Sequence, residues 1–271
     1  MAQPLARQGL ALVTLHSNLG IAFARYLLKN TSLPVVFAGG NPKYKTKEMV
    51  LERLSDIEGA PSRLHYMYGD PAQRKNAWDI RQYLRQNFPQ QSIRLLIALR
   101  GSSTFKSRYT NFSGVTHQSI LRHYQRTVIG HELLMNGLNG FLPTTEAFEV
   151  SETDNCKLPA HAIWALRLGR RASISQNTAS VLPTDHAASA ATLQLTKSFD
   201  NFLRRRCKGN AISVAFHPGT KGTSVRNPGF DPEDVLSEDE AVEKIMKVLT
   251  TMPAEQARGR FWDYNGEEIL P

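Results

Sequence analysis

The chain has 271 residues, 41% hydrophobic and 21% charged, the balance of a soluble globular protein rather than a membrane-spanning one, since no run approaches the ~18 uninterrupted apolar residues of a span. Its two cysteines, Cys156 and Cys207, form no C-x-x-C, which argues against a disulfide framework and a cysteine metal site. The net charge of +9 suits nucleic acid, an anionic surface or an acidic protein without choosing among them, and a merely basic surface is the plain alternative. The length is compatible with one α/β domain over 1–271. Met1 to Gln8 is too short for a signal peptide or a typical transit peptide, so the cytosol is expected, with the mitochondrial matrix as alternative.

Leu10 to Thr14 is an apolar run without alternation, as expected of a strand covered on both faces, and a helix from about Ile21 to Leu28 follows the connection Leu15-His-Ser-Asn-Leu-Gly20. A helix starting directly after a parallel strand points its free N–H groups at the place where phosphates bind. Leu33 to Ala38 predicts a second strand, broken by Gly39-Gly-Asn-Pro42, and a helix from about Thr46 to Ile57. No acid follows this strand, while Lys43 and Lys45 are close, so a bound dinucleotide would be NADP; a solvated lysine cluster is the alternative. Arg63 to Tyr68 predicts strand three, followed by a helix capped at Asp70-Pro71 and reaching Asn87, and Ile93 to Leu99 predicts strand four. Thr104 to Gly114 reads as a loop. Ser119 to Asn136 has helical spacing at Ile120, Tyr124, Val128 and Leu134, with Arg122, His123, Arg126 and His131 making the rest of its surface basic.

Pro159 to Leu166 predicts strand five, followed by the basic turn Arg167-Leu-Gly-Arg-Arg171. A long helix from about Ala187 to Arg206 stops at a run of cations and Gly209. Ala211 to Phe216 predicts strand six, leading into His217-Pro-Gly-Thr220; Ser237 with Glu240 forms a capping-box pattern for a last helix, and Arg260 to Tyr264 a final strand. The alternation predicts a doubly wound, Rossmann-like parallel sheet of about seven strands in three layers. There is no H-E-x-x-H, P-loop or G-x-S-x-G, and the histidines lack metal-ligand spacing, so no metal is expected.

Ala187-Ala-Ser-Ala-Ala-Thr-Leu-Gln-Leu-Thr-Lys-Ser198 followed by Val214-Ala-Phe-His-Pro-Gly-Thr220 resembles the short-chain dehydrogenase/reductase family, in particular its small C-factor-like branch, and the resemblance continues to Gly259-Arg-Phe-Trp-Asp-Tyr-Asn-Gly-Glu-Glu268. It implies a Rossmann domain binding a nicotinamide dinucleotide, with a tyrosine as proton donor or acceptor, a lysine four residues later that lowers its pKa, a serine that positions the substrate oxygen and a helical asparagine. Carried onto this sequence, the tyrosine falls on His186, the lysine on Ala190, the asparagine on Thr127 and the serine on Gly169, with Ser173 or Ser175 within a short slip. The cofactor positions implied by the resemblance are Thr14, Gly20, Lys43, Gly101, Pro218 and Gly219, while the adenine-holding aspartate falls on Met67. Leu15, His16, Leu19 and Leu99 are expected to crowd the pyrophosphate and ribose.

These substitutions predict a noncatalytic homologue, a pseudoenzyme acting as a binding or structural subunit with no cofactor. An active NADP-dependent oxidoreductase with an atypical site, on a small carbonyl or alcohol substrate, is the alternative. The expected partner is an acidic protein or a nucleic-acid-containing assembly, met by a basic face of Arg122, Arg126, Arg167, Arg170 and Arg171. The resemblance implies association through the fourth and fifth helices; the like charge on one of them predicts a monomer or a hetero-complex instead.

Overall fold

The structure, a computed structural model, describes residues 9–14, 17–40, 43, 46–69, 74–99, 115–178, 182–219 and 236–271. Seven parallel strands run in the order β3-β2-β1-β4-β5-β6-β7: β1 (Gly9–Thr14), β2 (Val35–Ala38), β3 (Leu64–Met67), β4 (Ser92–Ala98), β5 (Ala162–Arg167), β6 (Ala211–His217) and β7 (Phe261–Asp263). The strand order reverses between β1 and β4, which puts a crevice beyond their carboxyl ends. The helices are α1 (Asn18–Asn30), α2 (Thr46–Arg53), α3 (Ala60–Arg63), α4 (Arg74–Asn87), α5 (His117–Tyr124), α6 (Gly130–Leu138), α7 (Pro183–Cys207), α8 (Glu238–Thr251) and α9 (Ala254–Ala257), and a π-helical turn at Gln125–Ile129 joins α5 to α6.

Alternation along each strand divides two apolar layers. Ala11, Val13 and Val35 face α1 and α8, while Leu10, Leu12 and Val36 face α4, α6 and α7. Along β4 the alternation breaks once, because Ile93 and Leu95 face opposite layers, and Arg94 is the extra residue of a bulge against Leu10 and Ala11. The Arg94 guanidinium is buried and donates to the Leu158 carbonyl at 2.8 Å. Gly9 sits against its side chain, where a Cβ would lie 3.0 Å from Arg94 Cβ, so a side chain there would crowd the bulge.

Several predicted limits shift for physical reasons. α1 begins at Asn18 rather than Ile21, because the Ser17 hydroxyl accepts from Gly20 N at 3.1 Å and caps the first turn. The second helix stops at Arg53 rather than Ile57, and α3 and α9 are short turns without enough apolar periodicity to be read in sequence. α7 begins four residues before Ala187, at Pro183, whose fixed φ suits a first helical position. The predicted stop of α7 is present, with Lys208 and Gly209 both left-handed, and the capping box of α8 closes with Ser237 and Glu240 bonded both ways. His123 and His131 are buried rather than part of a basic surface, since that side of α5 and α6 packs inward and His123 meets a carboxylate of α7. Among the described residues no helix is long and apolar enough to cross a membrane.

Candidate functional site

At the carboxyl edge of the sheet the start of α7, the turn after β5 and the end of α5 close on one another around Asp185. This carboxylate is buried and lies 3.2 Å from His123 Nε2 and 3.0 Å from Arg171 Nη1. The pairing explains why a carboxylate survives in an apolar setting: two donors replace the water it gives up. Asp185 directly precedes His186, the residue at the tyrosine position. His186 is half-buried, its Nδ1 has no hydrogen-bond partner among the described residues, and burial, with the positive charge of Arg171, holds its pKa below the ordinary histidine value against the smaller opposing pull of Asp185. Near pH 7 it is therefore a neutral imidazole.

The other positions offer little reactive chemistry. Ala190 lies one turn further along α7 and carries no cation, and Gly169 has no side chain. Thr127 falls in the π-helical turn, where its hydroxyl donates to the His123 carbonyl at 2.8 Å, and its own carbonyl accepts from Thr192 Oγ1 at 3.2 Å. Ser173 is buried, donates to the Leu270 carbonyl at 2.5 Å and accepts from Gln176 N, while Ser175 lies 3.1 Å from it. Each hydroxyl is thus bound to the protein itself. Arg170 bonds the buried Asp263 at 3.0 Å, so two arginines of the predicted basic face each compensate an internal carboxylate. His217 closes the end of β6; its Nδ1–H donates to the Leu168 carbonyl at 3.2 Å, and burial together with nearby Arg167 pushes its pKa down to about 4.

On the dinucleotide side of the crevice, the described polar groups at the β1–α1 connection are bonded to the protein itself. Thr14 Oγ1 accepts from Leu99 N at 3.1 Å, locking β1 to β4, and the Gly20 amide is taken by Ser17. Leu19 and Leu99 are packed in the core beneath α1 instead of projecting over the helix start, because their backbone positions turn them inward; Leu15, His16, Lys45 and Gly101 lie outside the described residues. Gly219 has φ +84°, and a Cβ there would come 3.0 Å from Leu236 and 3.1 Å from Tyr264, so packing alone requires glycine, and buried Pro218 precedes it. Lys43 is exposed beyond β2. Beside it the Tyr66 hydroxyl bridges the Gly39 carbonyl at 3.0 Å and Thr46 Oγ1 at 2.9 Å, with Tyr66 stacked on Phe37, so an aromatic cluster stands near the ends of β2 and β3. Sequence reading missed Asp185, Ser17 and Tyr66; Asp185 in particular lies inside a stretch already compared residue by residue, but a carboxylate has no signal until its partners are placed.

No model of a known protein family matches this chain, and no curated protein does. Solved structures do match. An NADPH-bound carbonyl reductase from chicken fatty liver superposes with a TM-score of 0.77 at 18% identity over 98% of this chain and 100% of that one. The chain has the short-chain dehydrogenase/reductase fold. The carbonyl reductase Sniffer of Drosophila melanogaster gives a TM-score of 0.73 at 17% identity, covering 98% of this chain and 100% of its own. A short-chain dehydrogenase/reductase of Brucella melitensis described as a glucose/ribitol dehydrogenase gives 0.68 at 13% identity, covering 96% and 97%. Identities this low place the short-chain fold and leave its chemistry to the residues in the crevice. Among those described, none forms a hydroxyl–lysine pair, and none forms a group of acids, histidines and cysteines able to hold a metal.

Proposed function

We propose that this chain is a divergent short-chain dehydrogenase homologue that no longer transfers hydride and works as a binding or structural subunit. The arrangement around Asp185 carries this reading. The tyrosine position holds a neutral imidazole with no neighbouring lysine, and the hydroxyls of Thr127 and Ser173 donate to main-chain carbonyls. Groups that act as a unit lose far more than the sum of single changes when several are replaced. We further propose that the exposed Arg122, with Arg126 four residues on, meets an acidic protein or a nucleic-acid-containing assembly. Arg170 and Arg171 contribute less, since each already holds a carboxylate.

A second reading, an NADP-dependent oxidoreductase using His186 as general acid, is favoured by the structural likeness to an NADPH-bound carbonyl reductase, which supports it more directly than it supports the first. A histidine can serve as an acid near neutral pH. Titrating NADPH and NADH against the folded chain, by calorimetry and by thermal melting, separates the two. We expect neither to bind. Binding of a cofactor supplied at 100 times its dissociation constant would add about 2.7 kcal/mol of stability. Such an upshift, with NADPH oxidation by a small aldehyde that disappears in His186→Ala, would establish the oxidoreductase.

A further inference from the structure

A cavity of about 300 Å³ opens at the edge of the sheet opposite the crevice, where the ends of α4, α6 and α7 converge. Arg81 and Arg85 reach it from α4 and Arg206 from the last turn of α7, while Asn136 and Gly140 form part of the far wall. Gly137 allows α4 to come close, since a Cβ there would lie 3.5 Å from the Ala77 carbonyl oxygen. No carboxylate lines the cavity, and no described residue forms an ion pair with any of the three arginines. Arginines in the last turn of a helix ordinarily answer its terminal carbonyls. Here none of the three donates to a described carbonyl, and Arg81 Nε is buried with no partner among the described residues. Three cations facing one space repel one another unless an anion lies between them.

Two partly exposed aromatic rings stand next to arginines of this cavity. The Arg81 guanidinium lies 5.2 Å over the ring of Trp78, which is 51% exposed, and that of Arg206 lies 6.0 Å over Phe202, which is 39% exposed. Exposed rings alternating with arginines match the chemistry of a single strand, whose phosphates seek the cations while its bases stack on the rings. We propose that this cavity holds a phosphate of single-stranded nucleic acid, with Trp78 as the stacking platform for a flanking base and Phe202, itself stacked on Phe199, backing the Arg206 guanidinium. The site is separate from the crevice, so it stands whether or not a dinucleotide binds there. It is also distinct from the basic surface of Arg122 and Arg126, none of whose residues line it.

The test is fluorescence anisotropy of a labelled 12-nucleotide oligouridylate with the full chain over a range of salt. Binding should weaken with salt, with a log–log slope of about −0.7 for the one phosphate the cavity holds. Arg85→Ala/Arg206→Ala should weaken binding more than tenfold and flatten the slope. Trp78→Ala should weaken it about tenfold at an unchanged slope, as loss of one stacked base predicts. Lys247→Ala, exposed on α8 in the layer on the other face of the sheet, should leave it unaltered. Thermal melts of each variant confirm that it is folded, and Arg85→Ala alone, at an exposed position, serves if the double variant is not. Equal binding by the cavity variants, or an equal loss in Lys247→Ala, would overturn the proposal. So would full competition by millimolar inorganic phosphate with no effect of Trp78→Ala, which would mark a site for free anions instead.

Discussion

His217 shows how a single side chain couples this fold to pH. Buried at the end of β6 and held near pKa 4, it stays neutral in the folded protein, whereas in the unfolded chain it titrates near 6.5. Unfolding therefore takes up a proton between those values. The contribution to stability is complete above about pH 6.5 and is lost as pH falls towards 4. For this one group the loss between pH 7 and pH 5 is about 2 kcal/mol. His217→Gln, which keeps a donor for the Leu168 carbonyl, should reduce the fall in stability over that interval by about this amount in urea unfolding at the two pH values. An unchanged pH dependence would show that His217 does not stay neutral when folded. Asp185 gives a second expectation: Asp185→Ala leaves the buried His123 without its carboxylate, while Arg171, partly exposed, turns to water, so a loss of about 2 to 3 kcal/mol is expected in the same assay.

Between elements, a buried polar tie joins α7, β6 and the turn after α9 through Asp200. One carboxylate oxygen accepts from Ser213 N at 3.0 Å and the other from Arg258 Nε at 3.0 Å, with both side chains almost fully buried. Arg258 also reaches Glu255, and its charged form is favoured by these two carboxylates despite the cost of burial. Asp200→Ala strands a buried guanidinium and should cost about 3 to 5 kcal/mol. Glu268→Ala breaks a pair with the half-exposed Arg260 and should cost less than about 1 kcal/mol. Denaturant unfolding of the two variants compares them directly, and similar losses would mean that burial does not set the strength of these pairs. The sequence placed Asp200 in a helix and Arg258 before a strand, but nothing in either position announced the pair, because it joins segments 58 residues apart. The Arg94 bulge was hidden for a similar reason: an arginine inside an apolar run reads as a strand residue until the register against β1 is known.

At the scale of the whole molecule, assembly remains a proposal: the chain is expected as a monomer at low salt, and light scattering giving twice or four times its 30.3 kDa mass would contradict that. The order of strands and helices was legible in the sequence because most strands are apolar runs covered on both faces and α7 and α8 carry their own stop and cap, which are local properties of the chain. So were the replacements at the expected catalytic positions, His186 for a tyrosine and Ala190 for a lysine, since they are matters of residue type at a known spacing. What those positions do was decided by the tertiary structure. Only there does the Ser173 hydroxyl meet the Leu270 carbonyl, do His123 and His131 turn inward, and does Asp185 lie between His123 and Arg171. Hydrogen bonding, burial and charge compensation depend on which distant segments arrive at the same place, and residue type and spacing along one chain carry no record of that.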